Sequence, residues 1–365
     1  MNLLFYSPIM GRYGGIERHI CSLASVAAEN GHYVRLLTTS NSLGEELRHG
    51  LRRSEIILRE LPIAQGHAPR WRKLLWIFCE VLSARKVSWD IIYTNGQSAI
   101  SRYVWLAKRD RCRIIHHHHT AADSDEQKTW SKSFRQVLKN APELIACSQT
   151  TRALLSRALH RTSISFLPYL TQCPITHDAI KNRLPSIPQH FGFVGRLIPE
   201  KGIDAIISLA NDASLEHIRW HIHGEGSKYP AKRFESHSRI QYHGAYKSVA
   251  EYAQLLSALD AVVLFSTHNE GMPLSLIEAM SAGLPWVATN QGGTNELGLS
   301  PSNHILLPAF SDNAELANGV KEMSRRLSLG ITSRIEQRRV YDLQYSPSAV
   351  ISAWAKYLGL FVSAN

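Results

Sequence analysis

The chain reads as an α/β protein built from two doubly wound, Rossmann-like domains that face each other across a cleft. Three observations predict this. Short apolar runs alternate with longer amphipathic ones through the first half. The same alternation restarts near residue 190. Between the two lies "YLTQCPITHDAIKNRLPSIPQ" (169–189), which holds three prolines and little periodicity and reads as a linker. Strand–helix alternation implies a parallel sheet covered by helices on both faces.

In chain order, "NLLFYS" (2–7) is a first buried strand that ends at Pro8. A glycine-rich loop then opens a helix at 16–29. "YVRLLTT" (33–39) and "SEIILRE" (54–60) follow as strands, then an amphipathic helix at 70–86 and the strand "DIIYTN" (90–95). A helix at 98–109 leads to "RIIHHH" (113–118). Helices at 126–139 and 149–159 flank "ELIACS" (143–148). After the linker come "HFGFVG" (190–195), a helix near 201–211, "IRWHIHG" (218–224), "RIQYHG" (239–244), a helix near 248–258 and "DAVVLFS" (260–266). The expected domains are 1–170 and 171–345, with a C-terminal helix at about 346–365 packing back on the first.

With 44% hydrophobic and 19% charged residues among 365, the chain should bury a core, which excludes a disordered protein. Cys21, Cys79, Cys112, Cys147 and Cys173 form no C-x-x-C pair, which argues against a disulfide framework or a zinc site and fits a reducing compartment. "MNLLFYSP" has no basic leader and reads as a strand rather than a signal peptide. No apolar run is long enough to span a bilayer. A cytoplasmic location follows, with peripheral contact to the inner face of a membrane left open.

Residues 1–170 hold 24 Lys+Arg against 13 Asp+Glu, a net of +11 that equals the net charge of the whole chain. An asymmetry of this kind suggests an anionic partner for the first half alone. The basic residues are dispersed and match no nucleic-acid motif, so nucleic acid is not the expected partner. "PRWRKLLWIFCEVLSARK" (69–86) sets Arg70, Arg72, Lys73, Arg85 and Lys86 beside Trp71, Trp76 and Phe78. Two readings stay open. The helix either docks on an anionic membrane surface, or turns Trp71, Leu74, Leu75, Phe78 and Leu82 into the core.

Chemistry concentrates in "HNEGMPLSLIEAMSAGLPWVAT" (268–289). A helix should open near Pro273 and close at Gly283, placing Glu270 in the strand-to-helix loop and Glu278 about one turn into the helix. Free N–H groups from Met272 to Ser275 would suit a phosphate, and a carboxylate beside them can accept from paired sugar hydroxyls. The competing reading makes the two glutamates a cap and a surface charge. In "GFVGRLIPEKG" (192–202), Arg196 would end a strand and Lys201 would start the next helix, both projecting into the cleft. Such cations can neutralise a diphosphate leaving group. "GRYGGIERH" (11–19) lets backbone approach a ligand closely but does not match G-x-G-x-x-G.

These stretches, with "HGEGS" and "QGGTNEL", occur in an order and at a spacing that resemble the retaining GT-B glycosyltransferases of family 4. The resemblance covers nearly the whole chain. It implies transfer of a sugar from a nucleotide-sugar donor to a glycan or lipid-linked acceptor, with retention at the anomeric carbon. Members serve bacterial cell-surface polysaccharide and lipopolysaccharide synthesis. The resemblance further implies that Glu278 holds the donor ribose, Glu270 lies by the donor hexose, and Arg196 and Lys201 bind the diphosphate. Gly14 and Gly15 line the donor–acceptor junction, and Gly271, Met272, Pro273, Leu274 and Ser275 complete the donor site. His119 falls where the family keeps a histidine near the reacting centre, with His118 as its competitor in the four-histidine run.

Period-two alternation sends His117 and His119 to one face and His116 and His118 to the other. The bland reading of this run is histidines satisfied within the core. Asp123 and Asp125 match D-x-D but sit at a helix start, where acids offset the dipole. No metal and no cofactor are expected. Trp286 stands where the resembled family more often has a small β-branched residue and should affect packing. The alternative function is a catalytically inactive sugar- or lipid-binding protein on the same fold; the intact glutamate and cation pairs count against it.

Overall fold

The computed structural model describes residues 1–8, 10, 15–41, 43–62, 68–170, 175–176 and 180–360. The chain divides into two compact units, one formed by Met1–Thr171 with Pro347–Asn365 and the other by Gln172–Ser346.

The first unit holds seven strands: β1 (Asn2–Ser7), β2 (Tyr33–Thr38), β3 (Ile57–Glu60), β4 (Ile91–Asn95), β5 (Arg113–His118), β6 (Glu143–Ala146) and β7 (Ile164–Phe166). They lie in the order β3-β2-β1-β4-β5-β6-β7, all parallel. The order reverses between β1 and β4, the switch point of a doubly wound sheet. Leu3↔Ile91 and Leu4↔Ile92 set the central register. Because side chains alternate, Leu3, Phe5, Ile91 and Ile115 fill one core, while Leu4, Tyr6 and Ile92 fill another with Ile77, Val81 and Trp89.

The helix Pro347–Leu358 belongs to this unit. Val350, Trp354 and Leu358 enter the first core, and the Trp354 indole donates to the Pro168 carbonyl at 2.7 Å.

The second unit holds β8 (Gln189–Val194), β9 (Ile218–His223), β10 (Ile240–Gly244), β11 (Ala261–Leu264), β12 (Trp286–Thr289) and β13 (His304–Leu307). These are also all parallel, in the order β10-β9-β8-β11-β12-β13. Here the switch point falls between β8 and β11.

Several elements differ from expectation. The stretch 126–139 is two helices, Ser124–Thr129 and Lys132–Asn140, because Ser131 caps the second by accepting from the Phe134 N–H and so restarts the helix. The stretch 98–109 shortens to Ser101–Val104 and a 3-10 turn. Lys201 does not start a helix. It ends the 3-10 turn Pro199–Lys201, and the helix Ile203–Ala210 begins after Gly202. Gly202 has φ +77°, and a Cβ there would stand 2.2 Å from the Phe265 carbonyl oxygen. A side chain would therefore push this turn away from the end of β11.

In the helix Arg70–Ala84, the buried residues are Ile77, Val81 and Ala84. Trp71, Leu75, Phe78 and Leu82 are exposed at 60%, 55%, 59% and 47%. The stripe that could have faced the core faces solvent. Trp286 is fully buried, its ring 5.0 Å from that of His304, and its indole N–H has no partner.

Candidate functional site

The end of β11 and the helix Leu274–Ser281 bring most of the expected donor residues of the second unit together. β11 is followed by Ser266, and the chain then loops through His268 and Glu270. Glu270 forms a bridge to Gly292, and its carbonyl accepts from the Gly293 N–H at 2.8 Å. This approach needs a glycine. Gly292 has φ +57°, and a Cβ there would stand 2.1 Å from the Glu270 carbonyl oxygen.

Fixed in this way, the Glu270 carboxylate receives Lys201 Nζ at 2.6 and 2.7 Å on its two oxygens. It also accepts a short hydrogen bond from the Ser266 hydroxyl. Glu270 is 8% exposed and Lys201 17%. Burial pushes the carboxyl up. The Lys201 charge, then His268 and the hydrogen bonds from Lys201 and Ser266, outweigh it and hold Glu270 below the usual carboxylate range. His268 turns Nδ1 to the Glu200 carbonyl at 3.0 Å and places Nε2 3.9 Å from Glu270 Oε1.

The helix Leu274–Ser281 then starts with Pro273 as its cap residue and no capping side chain. Its first hydrogen bonds run from Leu276 and Ile277 to the Pro273 carbonyl. Among the described residues the N–H groups of Met272, Leu274 and Ser275 find no protein acceptor. They form a small field of donors at the positive end of a helix. Gly271, Leu274 and Ser275 are half-buried, whereas Met272 and Pro273 are buried.

Glu278 is 9% exposed and accepts from the Tyr252 hydroxyl at 2.6 Å. Tyr252 is itself stacked on Tyr246, with ring centres 4.3 Å apart. Both glutamates are thus buried and hydrogen-bonded, and neither is a surface charge.

Arg196 follows β8 and is exposed; its carbonyl accepts from the Ile198 N–H at 3.1 Å, and its guanidinium has no hydrogen bond or ion pair among the described residues. The two cations named from the sequence therefore differ. Lys201 is committed to Glu270, and Arg196 is uncommitted.

The remaining candidates lie in the first unit. Gly15 is the half-buried first residue of the helix Gly15–Glu29; Gly14 lies outside the described residues. His119 shares a face with His117, ring centres 4.0 Å apart, and with His19 and Tyr169. Its Nδ1 lies 3.1 Å from the Tyr169 hydroxyl, which donates to the His119 carbonyl, and its Nε2 is buried without a partner. His118 sits on the opposite face against Trp130 and Phe134, with Nε2 3.1 Å from Glu126.

Sequence reasoning missed Ser266, Tyr252 and His268 as neighbours of the two glutamates. Ser266 carried a signal, being the last residue of an expected strand. Tyr252 carried none, since only packing brings it to Glu278.

Residues 188–326 match the family described as "Glycosyl transferases group 1", and residues 13–168 match "Glycosyltransferase Family 4". The chain belongs to the family 4, group 1 glycosyltransferases. The GtfA subunit of a UDP-N-acetylglucosamine–peptide N-acetylglucosaminyltransferase of Streptococcus gordonii is 24% identical over 74% of this glycosyltransferase and 56% of the relative. The chain thus spans just over half of that relative's length. A 42.6 kDa protein in the cps region of Klebsiella pneumoniae is 24% identical over 86% of this chain and 91% of its own. Among solved structures, Anabaena Alr3699/HepE in complex with UDP-glucose superposes with a TM-score of 0.75 at 18% identity, covering 99% and 100% of the two chains. At that identity the likeness speaks for the fold, which is GT-B.

Proposed function

We propose that this glycosyltransferase moves a hexosyl group from a nucleoside-diphosphate sugar to a glycan or lipid-linked acceptor, with retention at the anomeric carbon, in the synthesis of a cell-surface polysaccharide or lipopolysaccharide. The observation that carries the reading is the uncapped start of the helix Leu274–Ser281, whose three free N–H groups follow directly on the buried Glu270–Lys201 pair.

The free N–H groups and Arg196 suit the donor diphosphate, whose charge grows as the glycosidic bond breaks. Lys201 holds Glu270 ionised, so Glu270 accepts from hexose hydroxyls and has no proton to give. Glu278 accepts from the ribose. Gly14 and Gly15 line the donor–acceptor junction, and His119 stands near the reacting centre. Both Glu270 oxygens are engaged by Lys201, which makes it a poor nucleophile. That favours attack on the same face from which the diphosphate leaves. The names of the Streptococcus relative and of the HepE complex support a nucleotide-sugar donor. The exposed apolar stripe of the helix Arg70–Ala84, flanked by Arg72, Lys73, Arg85 and Lys86, supports a lipid-linked acceptor at an anionic membrane. Among the described residues no helix is long and apolar enough to cross a membrane.

The chemistry needs no metal in this reading. The D-x-D carboxylates have other work: Asp123 caps the helix Ser124–Thr129, and Asp125 pairs with Lys128 at 2.6 Å. A panel of UDP- and GDP-sugars, read by nucleotide release with and without EDTA, tests the reading. Release with one donor, undiminished by EDTA, and a product with the donor's anomeric configuration by NMR are expected. An inverted product would end the same-face mechanism, and loss in EDTA restored by Mn²⁺ would end the metal-free one.

A further inference from the structure

We propose that His221, His223 and His243 form a binding site for one divalent transition-metal ion of the zinc class, on one face of the second unit's sheet. His221 and His223 are alternate residues of β9 and so share a face. β10 pairs alongside, with Gln241 opposite His221, and its register slips between Tyr242 and Gly244. That irregularity sets the His243 ring against both others. One nitrogen from each of the three lies within 4.8 Å of the other two. His221 Nδ1 is 3.0 Å from His243 Nε2, and the His223 and His243 ring centres are 4.2 Å apart.

A fourth imidazole supports the arrangement. His190 on β8 places Nδ1 2.6 Å from His221 Nε2. This bond occupies Nε2 and leaves Nδ1 of His221 as the ligand atom, the way a metal-bound histidine is held by a group behind it. His190 is itself anchored, because its backbone N–H donates to Asp260 at 2.9 Å.

Imidazole nitrogens suit zinc, copper, nickel or cobalt and discriminate against magnesium and calcium, which prefer oxygen. His221 and His223 are buried and His243 is exposed, which gives an entry path and room for water as a fourth ligand. The three rings lie nearly parallel, within 12° of one another. Directing three in-plane lone pairs at one ion therefore requires the rings to turn, and exposed His243 is the freest to do so. Cysteine spacing and D-x-D are blind to a site made of histidines two and twenty-two residues apart.

The test is calorimetric titration of the EDTA-stripped full chain with Zn²⁺, paired with visible spectra on adding Co²⁺. One ion per chain is expected, with Co²⁺ bands of nitrogen ligation and a higher melting temperature in Zn²⁺. His190→Ala should weaken binding by about 10–100-fold, as loss of an orienting partner does, and His243→Ala by at least as much. His160→Ala, at an exposed histidine elsewhere, should leave Zn²⁺ and Co²⁺ binding unchanged. Because His243 is exposed, its variant should keep the wild-type circular dichroism without metal. Binding to a folded His243→Ala chain with wild-type affinity, or no saturable binding by wild type, overturns the site.

Discussion

Lys201 and Arg196 sit five residues apart and would be scored alike by charge. Their surroundings separate them. Lys201→Ala leaves Glu270 buried and unpaired, a defect that costs about 3 kcal/mol in comparable pairs. Arg196→Ala removes an exposed group with no partner and should leave stability within about 0.5 kcal/mol. Arg196→Ala should lower kcat more than it raises KM, since leaving-group charge peaks in the transition state, whereas Lys201→Ala should lower kcat by disturbing Glu270. Chemical denaturation alongside steady-state kinetics separates the two effects. Equal stability loss in both variants, or wild-type turnover in Arg196→Ala, would sink this division of labour. Glu278→Ala should weaken donor binding by about 1.5–3 kcal/mol, the worth of a charged hydrogen bond; unchanged affinity by calorimetry would remove Glu278 from the ribose. The glutamates were legible because one contiguous stretch carries them with the helix that presents them. Their partners were not, because Tyr252 and Lys201 arrive from other elements. The facing of His119 toward His117 followed from period two alone, while its tie to Tyr169 depends on a residue 50 positions away.

At the scale of elements, buried strands read clearly because central strands of a parallel sheet are apolar throughout. Three were missed: β7, which has only three residues, and β12 and β13, which have four each. The helix Glu45–Arg53 was missed because it buries only Leu51. The helix Arg70–Ala84 was legible as a helix but not in its facing, since apolar residues occur on more than one side. Leu74, Leu75, Ile77, Phe78 and Val81 of this helix, with Tyr103 and Leu106, line an apolar groove of about 330 Å³. Arg72 lies over the Trp71 ring and Arg102 over Tyr103, so cations flank exposed rings, as an anionic interface favours. Co-sedimentation with phosphatidylglycerol vesicles at low salt should retain the chain. Charge reversal at Arg72 and Lys73, or Phe78→Ser, should each release a large part of it. Failure to bind at any salt concentration would point to a soluble anionic acceptor.

At the scale of the whole molecule, the unusual feature is how many histidines the fold buries. His19, His116, His117, His118 and His119 are all within the first unit's interior. Burial lowers His19 to about 3, and burial, then His118, lowers His116 to about 3. His117 and His119 are lowered in the same direction. His19, His116, His117 and His119 stay neutral in the folded chain while their unfolded counterparts take a proton near pH 6.5. A base whose folded pKa is depressed contributes its full stability above the unfolded pKa and loses it as pH falls. The window therefore opens at about 6.5 and runs down toward 3. At pH 5.5, His19 and His116 alone should cost about 1.4 kcal/mol each, through proton uptake by the unfolded chain. The loss begins above the range in which carboxylates titrate, so it can be assigned to histidine. Urea unfolding followed by intrinsic fluorescence should show a midpoint that is level from pH 8 to 7 and falls steadily from 6.5 to 5. His116→Gln, which keeps a polar group beside Thr94 but cannot be protonated, should flatten part of that slope even if it lowers the midpoint overall. A midpoint that stays level to pH 5 in the wild-type chain would mean that these rings are protonated or solvated in the folded state, contrary to their burial.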